Sequence, residues 1–120
     1  MVKARVAREA ALDPQDLARL LVARANSGDV DGMVQLYEPD AVLACGGGRV
    51  AVGTDEIRAF YADLIAKGTR FHLGDQRAAL ICGDLALTST RLPNGAVTAE
   101  VARRRAGGAW LWAVDQPAIA

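Results

Sequence analysis

Glu100 and Asp115 are the residues of this chain whose type and spacing best suit chemistry. Two carboxylic acids close together in an apolar cavity are pushed toward different protonation states, so that one serves as acid and the other as base. Strand side chains alternate, so Val97–Arg105 presents Thr98, Glu100, Ala102 and Arg104 on one face and Val97, Ala99, Val101, Arg103 and Arg105 on the other. Ala106–Gly108 supplies a turn. The return run sets Ala109, Leu111, Ala113 and Asp115 against Trp110, Trp112 and Val114. Paired as a hairpin with Ala109 opposite Arg104 and Ala113 opposite Glu100, the two runs bring Asp115 diagonal to Glu100, roughly 7–8 Å away between backbones. Ala102, Arg104, Leu111 and Ala113 then line the same cavity. Trp110 and Trp112 face away and suit a subunit interface, since exposed tryptophans on a sheet are costly unless covered. The opposite arrangement, with the tryptophans and Val114 in the core and the carboxylates in water, fits the same alternation.

Other polar groups can join or silence this pair. Arg104 is long enough to lean back onto Glu100 and leave a structural ion pair in place of a catalyst. His72, the single histidine, lies between Phe71 and Leu73, either as a pocket acid–base group or as an ordinary strand residue. A lone histidine makes no metal site, and no metal or cofactor is expected. Cys45 and Cys82 are too few and too far apart for a disulfide framework; without a histidine to activate it, Cys45 reads as packing at the pocket wall. Tyr61 either turns its hydroxyl into the cavity or packs as a helix-core aromatic.

These groups must be positioned by an α+β framework. Asp13–Pro14 opens a helix that closes at Ala25–Asn26–Ser27–Gly28. Asp29 caps a shorter helix carrying Met33, Leu36 and Tyr37, which Glu38–Pro39–Asp40 ends. Ala41–Cys45 and Arg49–Val52 read as short strands around Gly46–Gly48, and a third helix runs from Thr54 to Lys67–Gly68 with Ile57, Phe60, Tyr61, Leu64 and Ile65 buried. Arg70–Cys82, Leu85–Leu92 and the final hairpin continue as an antiparallel meander. A curved antiparallel sheet wrapped around three helices from the N-terminal half makes a cone with an apolar bottom and an open mouth, where ligands bind.

At 120 residues the chain holds one domain, expected over residues 13–117 after a flexible extension of residues 1–12. Its 14 basic and 14 acidic side chains cancel, which leaves no electrostatic case for nucleic acid or an anionic membrane; Arg103–Arg105 is too short a run to change that. There is no secretory-type apolar stretch of roughly 7–15 residues and no spanning run of about 18, so the cytoplasm is the expected compartment.

Four segments carry a family resemblance: Asn26–Ser27–Gly28–Asp29, Leu36–Tyr37–Glu38–Pro39–Asp40–Ala41–Val42, Gly53–Thr54–Asp55–Glu56–Ile57–Arg58–Ala59–Phe60, and Glu100–Val101–Ala102–Arg103–Arg104 with Trp110 and Asp115. From about Asp16 to Pro117 the chain resembles the nuclear transport factor 2-like superfamily, and within it the small bacterial SnoaL-like and ketosteroid-isomerase-like proteins. The resemblance implies the cone, and it implies three working groups in ketosteroid isomerases: a first-helix tyrosine, a first-strand aspartate base and a late-strand acid. Those positions fall on Leu21, on or beside Cys45, and on Glu100, so only the acid has a counterpart and steroid isomerisation by that machinery is not expected. The remaining expectations are a pocket for an apolar small molecule, with isomerase-, cyclase- or hydrolase-like chemistry from Glu100, Asp115 and His72, or a non-catalytic binding or dimerisation module, and in either case a homodimer through the outer sheet face.

Overall fold

A computed structural model of the chain describes residues 7–119. Helices α1 (Asp16–Asn26) and α2 (Val30–Val34) lead into strands β1 (Tyr37–Gly46) and β2 (Arg49–Val52), then α3 (Gly53–Ala66). Six strands follow: β3 (Asp75–Gln76), β4 (Leu80–Cys82), β5 (Leu85–Thr88), β6 (Thr90–Arg91), β7 (Ala99–Arg104) and β8 (Trp110–Gln116). The main sheet is ordered β2-β1-β8-β7-β5-β4, with β3 and β6 forming a small second sheet. Among the described residues no helix is long and apolar enough to cross a membrane.

Local chemistry sets the helix ends. Asp13 accepts from the Gln15 N–H at 2.9 Å, so the expected Asp13–Pro14 start is a turn feeding α1, whose first helical residue is Asp16. Asp29 caps α2 by accepting from Gly32 N at 3.0 Å. Gly28 before it holds φ +75°, a conformation that costs glycine little. At α3 the cap falls on Val52 rather than on Thr54: the Glu56 carboxylate reaches back to accept from Val52 N at 2.9 Å. Residues 1–6 of the expected N-terminal extension lie outside the described residues. Beyond them Arg8 makes a two-point ion pair with Asp29, and Ala11 is buried with its carbonyl accepting from Trp110 N.

Three strand expectations are corrected. Tyr37 opens β1 instead of closing the second helix, because Pro39 disfavours helix at the residue before it and the chain is already extended there. The run Arg70–Cys82 is not one strand but two short ones, β3 and β4, behind an irregular stretch. That stretch is tied down at Phe71, whose N–H and C=O both bond the Asn26 side-chain amide, and at Gly74, where a Cβ would lie 2.1 Å from Arg91 O. Finally, the main sheet is antiparallel except at one pairing, where β1 and β8 run parallel.

The β7–β8 register decides what faces inward. Arg105 N bonds Ala109 O at 2.7 Å across the turn, so Arg104 pairs with Trp110 and Ala102 with Trp112 rather than in the expected register. A bulge at Ala113 then shifts the pairing, and Glu100 stands directly opposite Asp115. One extra residue reverses the alternation beyond it. Trp110, Trp112 and Asp115 therefore share the inner face, at 4 %, 3 % and 6 % exposure. The expectation of outward tryptophans at a subunit interface is overturned: they join Leu17, Met33, Leu43 and Ile57 in the core.

Deleting Ala113 is expected to return β8 to strict alternation and turn either the tryptophans or Asp115 outward. Urea denaturation should show a loss of at least about 3 kcal/mol, an outcome that belongs to core disruption rather than to loop shortening. A loss under about 1 kcal/mol would show that the bulge does not fix the inner face.

Candidate functional site

A cavity of about 200 Å³ opens between α1, α3 and the inner sheet face. Its walls are mostly apolar: Ala18, Leu21 and Val22 from α1, Phe60 and Leu64 from α3, Phe71 and Leu73 from the tethered stretch, and Leu92, Trp112 and Pro117. Polar atoms come from Tyr61, His72, Thr90, Thr98, Glu100 and Asp115.

The two carboxyl groups are both buried and differently held. Asp115 Oδ2 accepts from the Tyr37 hydroxyl at 2.5 Å, and the Tyr37 and Tyr61 hydroxyls stand 2.5 Å apart. Tyr61, Tyr37 and Asp115 thus form one buried hydrogen-bonded chain running from α3 through β1 to β8. Glu100 Oε1 accepts from the Thr88 hydroxyl at 2.8 Å. Burial pushes the Asp115 carboxyl up to about 7; the Tyr37 hydrogen bond opposes this and the neighbouring Glu100 charge adds to it. Burial also raises Glu100, with the Thr98 and Thr88 hydroxyls pulling the other way. Burial, reinforced by the Asp115 charge, holds both phenols well above 10, so they remain hydrogen-bond donors at neutral pH.

Among the residues singled out from sequence, Glu100, Asp115, His72, Leu21 and Tyr61 meet at this cavity. His72 is exposed and sits on its rim. Five others do not line it. Ala102 is fully buried against the core, Leu111 lies half-buried on the outer side of β8, and Ala113 is spent on the bulge. Cys45 is half-buried further along β1, its thiol near Leu43 O. Arg104 turns away from Glu100: it pairs with Asp84 at 2.6 Å and lies 5.8 Å from the Trp110 ring centroid. Arg103 and Arg105 both pair with Glu38, so every arginine of that run has a carboxylate partner.

Tyr37 was missed from sequence because it was read as a helix-stripe residue. The signal that would have found it is Pro39, which marks an extended chain two residues later and frees Tyr37 to enter the sheet beside Trp112, 5.1 Å between ring centroids. Thr88 was missed because a strand threonine carries no mark of its partner.

Solved structures share this architecture. A ketosteroid isomerase-like protein from Erwinia carotovora atroseptica superposes with TM-score 0.63 at 22 % identity, covering 84 % of this chain and 88 % of that one. An NTF2-like protein with a cystatin-like fold from Novosphingobium aromaticivorans gives 0.63 at 22 %, covering 83 % and 75 %. A protein of unknown function with a cystatin-like fold from Nostoc punctiforme gives 0.68 at 20 %, covering 88 % and 86 %. At these identities the likeness is one of fold. No curated protein matches the chain in sequence. The SnoaL-like domain model matches residues 18–119, nearly the whole described fold, and the chain belongs to the SnoaL-like family.

Proposed function

We propose that the protein binds a compact apolar molecule bearing one carbonyl or epoxide oxygen and moves a proton on it with Asp115 and Glu100. The observation that carries this reading is the placement of both buried carboxyls, on directly paired residues, in the wall of one otherwise apolar cavity. With its pKa near 7, Asp115 holds its proton for a large part of the time at neutral pH. Tyr37 occupies Oδ2, so the proton resides on the other oxygen and is available to the ligand oxygen. Glu100, held by hydroxyl donors, is the ionised partner that takes a proton from carbon or from an incoming nucleophile. In a β,γ-unsaturated ketone, Asp115 protonates oxygen as Glu100 removes the α-proton, giving a dienol; Glu100 returns that proton to the γ-carbon as the dienol hydroxyl gives its proton back to Asp115, which completes an isomerisation. A cavity of about 200 Å³ is only somewhat larger than the roughly 150 Å³ that holds benzene, which favours one- or two-ring ligands over a steroid nucleus.

The outer sheet face supports a homodimer, for a different reason from the one the sequence suggested. Register aligns Val52, Val42, Val114, Val101, Leu87 and Leu80 in one row across all six strands of the main sheet. Of these, Val52, Val114, Leu87 and Leu80 are exposed. A contiguous aliphatic row of this kind can pair with its own copy about a two-fold axis.

Three outcomes are expected. A saturating monocyclic ketone or small epoxide raises the melting temperature, by roughly 2.7 kcal/mol of stability at a hundred times its dissociation constant, and Glu100→Gln lowers its turnover by about 10²-fold or more. Silence across such compounds would leave a non-catalytic module, and turnover that survives Glu100→Gln would remove Glu100 as the base. The pH dependence of stability follows from Asp115. Its folded pKa of about 7 lies above the ordinary 3.8, so the folded state binds the proton more tightly. The resulting stabilisation is complete below pH ~4 and is lost as pH rises through ~7, on the order of 4 kcal/mol. Urea denaturation at pH 5 and pH 8 should differ by about 3 kcal/mol of that fall, and Asp115→Asn should reduce the difference. Light scattering at micromolar concentration should give a dimer mass that Leu87→Glu reduces to a monomer; a monomeric unmodified chain would remove the interface.

A further inference from the structure

Trp112 Nε1 is the one buried side-chain nitrogen or oxygen without a hydrogen-bond partner among the described residues. The residue is 3 % exposed, and an unpaired N–H in such a place costs about 1–3 kcal/mol. Beside it lies a second, far smaller chamber of about 10 Å³, which shares Ala18, Thr90, Glu100 and Trp112 with the main cavity. Gln15 and Gln76 close its other side: the Gln15 amide donates to Arg77 O at 2.8 Å and the Gln76 amide to Gln15 O at 2.9 Å, tying the start of α1 to β3. The volume is that of about one water molecule, and such a molecule needs two to four polar partners. The chamber wall includes Trp112, whose indole is a donor, and Glu100, whose carboxylate has about four acceptor sites and takes the Thr88 and Thr98 hydroxyls.

We propose that this chamber binds a single water molecule that accepts from Trp112 Nε1 and donates to the Glu100 carboxylate. Trp112 is thereby a positioning residue, acting on Glu100 through the water. The proposal rests on the reading of Glu100 as the ionised member of the pair, and it supplies what that reading lacks: a further donor to a buried carboxylate that no lysine or arginine pairs with among the described residues. The other groups facing Glu100 are Asp115 across the strand pair, the Thr88 and Thr98 hydroxyls, Tyr61 and Tyr37 behind Asp115, His72 on the rim and Arg77 at the chamber wall. His72 and Arg77 are the two able to bring positive charge, and both are exposed, where solvent and salt screen them. Asp115 acts in the opposite sense, because any charge on it disfavours a second carboxylate.

The experiment is a carboxyl carbon titration of Glu100 by nuclear magnetic resonance in the unmodified chain, Trp112→Phe and Trp110→Phe. Trp112→Phe keeps the aromatic bulk and removes the donor. Its Glu100 midpoint should rise by about one pH unit, a tenfold weaker hold on the ionised form, while Trp110→Phe leaves it in place. An unchanged midpoint in folded Trp112→Phe overturns the proposal. A second readout needs no variant: the Trp112 indole N–H of the unmodified protein should show magnetisation transfer to a slowly exchanging water, and its absence overturns the proposal even where Trp112→Phe fails to fold. Failure of the underlying reading looks different. Both water signatures would be present, yet turnover would survive Glu100→Gln.

Discussion

Everything in this molecule turns on one constraint at the end of the chain: β8 must deliver Trp110, Trp112 and Asp115 to the same side of the sheet. Strict alternation forbids this, since Trp112 and Asp115 are an odd number of residues apart. The bulge at Ala113 supplies the missing residue, and its position is consequential. The tryptophans before it join the buried core, and the acid beyond it enters the cavity. Had the bulge fallen between Trp110 and Trp112, Trp112 would face water and the core would lose one of its two largest side chains.

From that placement the electrostatics follow. Asp115 sits where no arginine or lysine pairs with it among the described residues, so burial sets its pKa and the Tyr37 hydroxyl only moderates the effect. Glu100, directly opposite, is buried too and is served by threonine hydroxyls. Burial thus raises both acids, and different hydroxyl partners moderate the effect on each. Arg104, on the same strand as Glu100, is drawn away by Asp84, and Arg103 and Arg105 are held by Glu38.

The sequence made the framework legible because caps, turns and periods are local. Asp29 as a cap, the glycine turn at Gly46–Gly48, the buried face of α3 and the strand character of β7 and β8 all follow from residues within a few positions of one another. What escaped was non-local or off by one. The bulge is invisible to alternation, although the cost of two solvent-facing tryptophans was a warning that an odd residue was needed. The parallel β1–β8 pairing depends on chain segments more than sixty residues apart. Tyr37 was lost to a boundary between helix and strand, and with it the hydroxyl chain to Asp115. The division of polar groups between cavity and surface, clearest at Arg104, was set by a partner, Asp84, that only the folded sheet brings near.

The place of β8 in the sheet also bears on how the protein is made. β8, the last strand of this sheet to be synthesised, lies between β1 and β7, near the middle of the sheet order, and supplies the parallel partner of β1. During synthesis β1 and β2 can pair as soon as they appear, but β1 keeps one open edge until residue Gln116 has been released. Pairings that span so much chain are slow to form, because loop closure must be met before the contact rewards it. The nascent domain therefore waits with an uncovered strand edge and no completed cavity, a state vulnerable to edge-to-edge association and to capture by chaperones. Only when the final strand slides into this slot does the sheet close, and the same event installs the acid.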